Sequence, residues 1–165
     1  MAYIITTPGA GWQAIADTDT TQRHALGTIV TAKDPTYGVG EFIYLKGVAS
    51  TVVGSPVTWN STSHQTTLAA VGANKSFPLA FAMSANVANQ YGWYQISGLA
   101  VASKTNTVSL AAGAAVGILT AGKVAGTGSG KEVLGAVVAA VASAKSDVTT
   151  VRLHISRPHQ QGRVT

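Results

Sequence analysis

Between Phe81 and Thr120 apolar and polar side chains alternate for much of the stretch. Its centre, Tyr91-Gly92-Trp93-Tyr94-Gln95-Ile96-Ser97-Gly98, is the densest aromatic cluster in the chain. In an extended backbone Trp93, Gln95 and Ser97 point one way, and Tyr94 and Ile96 the other. Leu99 to Ser103 prolongs the run, and Lys104-Thr105-Asn106 supplies turn chemistry. Thr107-Val108-Ser109-Leu110 resumes the alternation, and Val116-Gly117-Ile118-Leu119 follows a corner of small residues. Period-two alternation broken by Gly and Asn is the pattern of strands and hairpins. No ten-residue segment here shows a capped helical stripe, so the stretch predicts three or four antiparallel strands at the heart of an all-β domain.

The same pattern extends to both sides. Phe42 and Tyr44 share one face of Gly40 to Gly47, while Ile43 and Leu45 share the other. Two apolar faces predict an interior strand. Val57-Thr58-Trp59 and Thr66 to Val71 flank Asn60 to His64, which predicts a hairpin. Pro56 falls at the first strand position, where its missing donor does least harm. Val133 to Ala142 reads as a helix by its alanines or a buried strand by its valines. From Asp147 to Ser156 alternation returns, predicting a closing hairpin around a loop at residues 143–147. Strands at such spacing with Gly-rich turns predict an antiparallel β-sandwich or barrel over residues 39–156.

Residues 1–38 break the rhythm. Tyr3-Ile4-Ile5 is a short apolar piece, Thr7-Pro8-Gly9-Ala10-Gly11 interrupts regular structure, and Trp12 stands just beyond. Asp17 to Thr21 is polar, Leu26 to Ala32 could form one strand, and Asp34 to Gly38 reads as a turn. So few anchors over a long segment predict an extended, irregular N-terminal arm that docks on the rest of this subunit or on another. Residues 157–165 read as a polar, mobile C-terminal tail.

Composition sharpens this picture. The chain has 165 residues, which favours one domain able to bury roughly 70% of its unfolded surface. Only 10% of residues are charged, against about 25% in an ordinary domain, and such a surface suits extensive subunit contacts. The net charge of +5 is scattered. Lys33, Lys46, Lys75, Lys104, Lys123, Lys131 and Lys145 each stand alone near a turn, a placement that favours solubility and edge protection over a nucleic-acid groove. Cysteine is absent, so disulfides and Cys-based zinc sites are excluded. The first residues have no basic, then apolar, leader pattern, and Val133 to Ala142 is too short to span a bilayer. No membrane partner is therefore expected.

Candidate chemistry is sparse. Gly126 to Lys131 imitates a phosphate loop, but Ala125 and Glu132 occupy positions that motif needs for Gly and Ser or Thr. His24, His64, His154 and His159 lack metal-ligand spacing, and Asp17 and Asp19 lack the rest of a calcium loop. No nucleophile elbow surrounds Ser129. The expectation is a non-enzyme with no catalytic, cofactor or metal residues. Phe42, Tyr44, Trp93 and Tyr94 suit a core or a subunit contact. Trp12, set in an irregular arm, needs a pocket on a partner.

Leu26-Gly27-Thr28, Gly40 to Gly47, Tyr91 to Gly98 and Ala111-Ala112-Gly113-Ala114-Ala115-Val116 together resemble the texture of head decoration, or cement, proteins of tailed bacteriophages. The resemblance covers residues 26 to 156. It implies a β-rich structural protein on the outer capsid surface, made in the host cytoplasm and oligomeric, as a trimer. Its partners would be the major capsid protein and sister subunits, with Tyr3, Ile4, Ile5 and Trp12 against one or the other. Another virion part (tail, neck or head fibre) and a carbohydrate-binding β module using Trp59 or Trp93 are the alternatives.

Overall fold

The computed structural model describes residues 1–71, 76–86, 88–145 and 147–162. Among these the chain is all-β, without helices. The strands are β1 (Ile4–Ile5), β2 (Thr18–Asp19), β3 (Ile29–Asp34), β4 (Gly38–Lys46), β5 (Pro56–Trp59), β6 (Thr66–Leu68), β7 (Leu79–Ala82), β8 (Tyr91–Ser103), β9 (Ala115–Thr120), β10 (Lys123–Gly126), β11 (Glu132–Val138) and β12 (Thr150–Gln160). They form one antiparallel sheet whose main path runs β1-β3-β4-β8-β12-β11-β9-β10. The sheet folds over itself in a sandwich-like arrangement and does not close into a barrel.

β8 joins the two halves. Residues 91–97 pair with β4, and residues 97–103 pair with β12. The exchange happens at Gly98, whose φ is +102°. An added Cβ there would lie 2.5 Å from the Val39 carbonyl oxygen, so only glycine lets β4 come this close while β8 turns.

Three apolar clusters follow from that geometry. Phe42, Tyr44 and Trp93 face inward beneath the N-terminal segment, with Tyr3, Ile15, Val30 and Ala32. On the opposite face of the same strands, Ile43, Leu45, Tyr94 and Ile96 pack on Val57 and Ala80 of the β5–β7 flap. The two-faced interior strand expected at Gly40 to Gly47 is thus β4. The third cluster fills the C-terminal half: Ala100, Ala102, Val116, Ile118, Val151, Leu153 and Ile155.

Other expectations meet the structure as follows. The β5–β6 hairpin pairs Val57 with Leu68 and Trp59 with Thr66, and the Asn60 side chain accepts from the amides of Thr62 and Ser63 to hold its loop. Val133 to Ala142 resolves as a strand, β11, up to Val138, paired with β12. β12 continues to Gln160, into the stretch read as a tail, because its backbone still finds partners: Gln160 donates to the Phe77 carbonyl. Lys75, Ser146 of the expected closing loop, and Arg163 to Thr165 lie outside the described residues.

Thr107 to Leu110 does not form the expected strand. It meets the sheet only at an isolated bridge, Leu110 to Ala142. The cause is Lys104, which is fully buried rather than a solvated turn lysine. Its ammonium donates to the carbonyls of Thr105, Asn106 and Val108 at 3.1, 3.2 and 2.9 Å. The Val108 amide also donates to the Thr105 carbonyl to close a turn, and the alternately directed carbonyls of a strand could not converge on one cation, so the segment curls.

Candidate functional site

The N-terminal segment was the place where the sequence put partner-binding side chains. The structure describes how that segment is held. β1 adds to the edge of β3, pairing Ile4 with Lys33 and Ile5 with Ala32. The Asp34 carboxylate ties the β3–β4 turn to the chain start, accepting from the amides of Thr36, Tyr37 and Ala2 at 2.7, 3.0 and 2.6 Å. Burial opposes its charge, but those amides hold its carboxyl below the ordinary value.

Further along, Gln13 locks the segment to the sheet. Its side-chain amide donates to the carbonyls of Asp17 and Tyr91 at 2.8 and 3.3 Å, and its oxygen accepts from the Tyr44 hydroxyl at 2.9 Å. Its backbone carbonyl accepts from the Trp93 indole at 2.9 Å. Around it stand Trp12, His24, Tyr44 and Trp93, with ring centroids 5.0 to 6.3 Å apart at tilted or edge-on angles. Such contacts add to burial of the rings themselves.

The four residues singled out in the sequence therefore divide. Tyr3 is buried in its own chain, edge-on to Phe42 at 4.8 Å, and burial raises its hydroxyl pKa to about 12. Ile5 and Trp12 are half-buried against the same cluster. Trp12 thus finds its pocket within this chain, among His24 and Trp93. Ile4 alone is largely exposed, at 72%. The register carries its row on through Lys33 to Val39, itself 58% exposed, so Ile4, Lys33 and Val39 share one outward face at the free β1 edge. Val39 carried no signal of its own in the sequence. Gln13 was equally silent, since a glutamine in an irregular segment reads as a solvated residue.

Two other aromatics separate in the same way. Trp93 is fully buried and unavailable as a sugar platform. Trp59 is half-buried and lines an apolar cleft of about 190 Å3 with Ile29, Ile43, Ile96 and Arg157. Gly126 to Lys131 joins strand β10 to strand β11, not a strand to a helix. Among the described residues no three His, Cys, Asp or Glu side chains gather where they could hold a metal ion.

His24 yields a prediction. Its Nε2 accepts from the Gln13 amide at 3.0 Å, which requires the neutral ring. Burial lowers its pKa, and the neighbouring Arg23 charge lowers it further. An unfolded chain would take up this proton near pH ~6.5, the folded one only at lower pH. Stability is therefore complete above that pH and falls as acid is added. Intrinsic fluorescence, which reports Trp12 and Trp93 beside the ring, should show the segment loosening below about pH 6.5. H24Q should remove that component; a profile unchanged by H24Q would show that the neutral ring is not what holds Gln13.

No protein-family model matches this chain, and no curated protein matches its sequence.

Proposed function

We propose that this chain is a non-enzymatic structural protein of a tailed-phage virion that binds the outer capsid surface and stabilises the shell. In this reading it works as a homo-oligomer, a trimer, made in the host cytoplasm and carried on the particle. The observation that supports it best is the outward row of Ile4, Lys33 and Val39, which runs inward from the free β1 edge across β3 to β4. Exposed Ile4 and Val39, beside an unpaired edge, lose water when a second polypeptide covers them. A protein that binds only the assembled shell shifts its equilibrium toward assembly by mass action, and many copies add avidity.

The test is co-sedimentation with matching expanded capsids that lack the protein. Deleting the segment would be uninformative, because Tyr3, Gln13 and Ile15 belong to the core. The double variant I4E/V39E changes only exposed positions. Saturable binding by the native chain, weakened about tenfold or more by I4E/V39E, is the expected outcome. Failure of the native chain to sediment with any capsid form would end this reading.

The Trp59 cleft favours a second reading, a carbohydrate-binding module. Glycan-dependent quenching of Trp fluorescence, abolished by W59A, would support it over the first.

A further inference from the structure

β12 is an interior strand, yet its outward side carries an unusual sequence of groups. Val151, Leu153 and Ile155 point into the core, while Arg152, His154, Arg157 and His159 are exposed. The register shows what stands beside them. Arg152 pairs with Val101 of β8, and His154 lies between Leu99 of β8 and Val137 of β11. His159 pairs with Leu134 of β11. Cross-strand partners share a face, so a basic line runs down the middle of this face with aliphatic side chains on both sides.

Arg152 is the arginine of this line that has no ion pair among the described residues. Among the described residues the ion pairs are Arg23 with Asp19 and Arg157 with Glu41. Arg152 has no carboxylate; its guanidinium lies over the Tyr37 ring, 5.5 Å from the centroid. Beside it an open cleft of about 500 Å3 is lined by Tyr37, Val101, Val141 and Val148, with Val141 73% exposed. Glu132, at the start of β11, lines a second shallow cleft with Val137 and His154. An outward sheet face is ordinarily polar. Here its apolar flanks lose nothing by being covered, and its centre gains from an anion.

We propose that the outer face of β8–β12–β11 is a docking surface for an acidic, amphipathic polypeptide segment. Glutamate or aspartate side chains would meet Arg152 and His154, and leucine- or valine-like side chains would cover Leu99, Val101, Leu134 and Val137. The flanks decide against nucleic acid. Single strands are held by aromatic stacking platforms and duplexes by dense Lys/Arg contacts to phosphate, whereas these flanks are aliphatic. The inference does not rest on the capsid reading, although its surface continues the sheet face that carries the Ile4 row, since Ser97 pairs with both Glu41 and Ser156.

The experiment measures fluorescence anisotropy of three labelled probes of equal length. They are a peptide of glutamate and leucine, poly-glutamate, and single-stranded DNA. The native chain should bind the glutamate–leucine peptide most tightly. R152E should weaken it by about fivefold or more, since a paired charge becomes a repelled one, and H154E should weaken it as well, since a hydrogen-bonding imidazole gives way to a carboxylate that repels the peptide. K123E makes the same charge change as R152E on β10, which is not one of the strands of this face, and should leave affinity within about twofold. V137S should weaken the glutamate–leucine peptide and leave poly-glutamate unchanged. Near-UV circular dichroism confirms that each variant is folded. Equal losses from R152E and K123E would mean that only net charge matters and would overturn the proposal. Tighter binding of DNA, or no binding of the mixed peptide, would overturn it as well.

Discussion

Replacing Trp93 by alanine is expected to destabilise the protein by about 3–5 kcal/mol. Trp93 is fully buried and stands within 6.3 Å, centroid to centroid, of Trp12, His24 and Tyr44. The cavity would open at the seam between the N-terminal segment and β4–β8. The substitution would also orphan the Gln13 carbonyl that Trp93 satisfies at 2.9 Å. For a chain of this size that loss corresponds to a melting temperature lower by roughly 10 °C. Urea unfolding and calorimetry measure it directly. W93F keeps most of the packing and loses the indole donor, so it should fall between the two. A loss below about 1 kcal/mol for W93A would mean that the segment is not locked to the sheet as described. Limited proteolysis adds a structural readout, since a released segment should be cut within its first 25 or so residues before the rest of the chain.

Replacing Gly98 by alanine should be nearly as damaging, for a different reason. No core side chain is removed. Instead a Cβ is forced to within 2.5 Å of the Val39 carbonyl oxygen, at a φ of +102°. The backbone conformation alone costs on the order of 1–3 kcal/mol for a residue with a side chain, and the obstructing atom is backbone that cannot rotate away. Because β8 exchanges β4 for β12 here, relief of the clash must pull on one pairing or the other. The expected total is roughly 3 kcal/mol or more by urea unfolding. Val39 also sits in the exposed row proposed to meet a partner, so hydrogen exchange should rise in β4 at that end. Stability within about 0.5 kcal/mol of the native chain would show that β4 and β8 do not approach each other this closely.

Much of this architecture was legible beforehand, for local reasons. The side-chain period of a strand is two, so Phe42/Tyr44 against Ile43/Leu45 and Val151/Leu153/Ile155 against Arg152/His154 announce their faces in the order of residues alone. Asn60 to His64 announced a hairpin because its residues suit turn conformations. The candidate site was less legible. Tyr3, Ile4, Ile5 and Trp12 were recognisable as apolar anchors, yet nothing local separates Tyr3, which is buried, from Ile4, which is exposed. That distinction depends on which side of β1 faces Phe42, and so on the β1–β3 register.

What the sequence by itself determined is the all-β class, the interior character of β4 and the alternation of β12, because each is written in neighbouring residues. What only the tertiary structure decided is the partnership between distant ones. Lys104 reads as one more solvated turn lysine until three carbonyls close around its ammonium. Gln13 has no pattern to announce it, and acquires its role from Tyr44, Tyr91 and Trp93, far along the chain. The basic line of β12 becomes a bordered surface only once β8 and β11 set Leu99, Val101, Leu134 and Val137 beside it. Hydrogen bonds and cross-strand contacts act between groups that folding brings together, and period-two patterning records which way a residue points but not what it will meet.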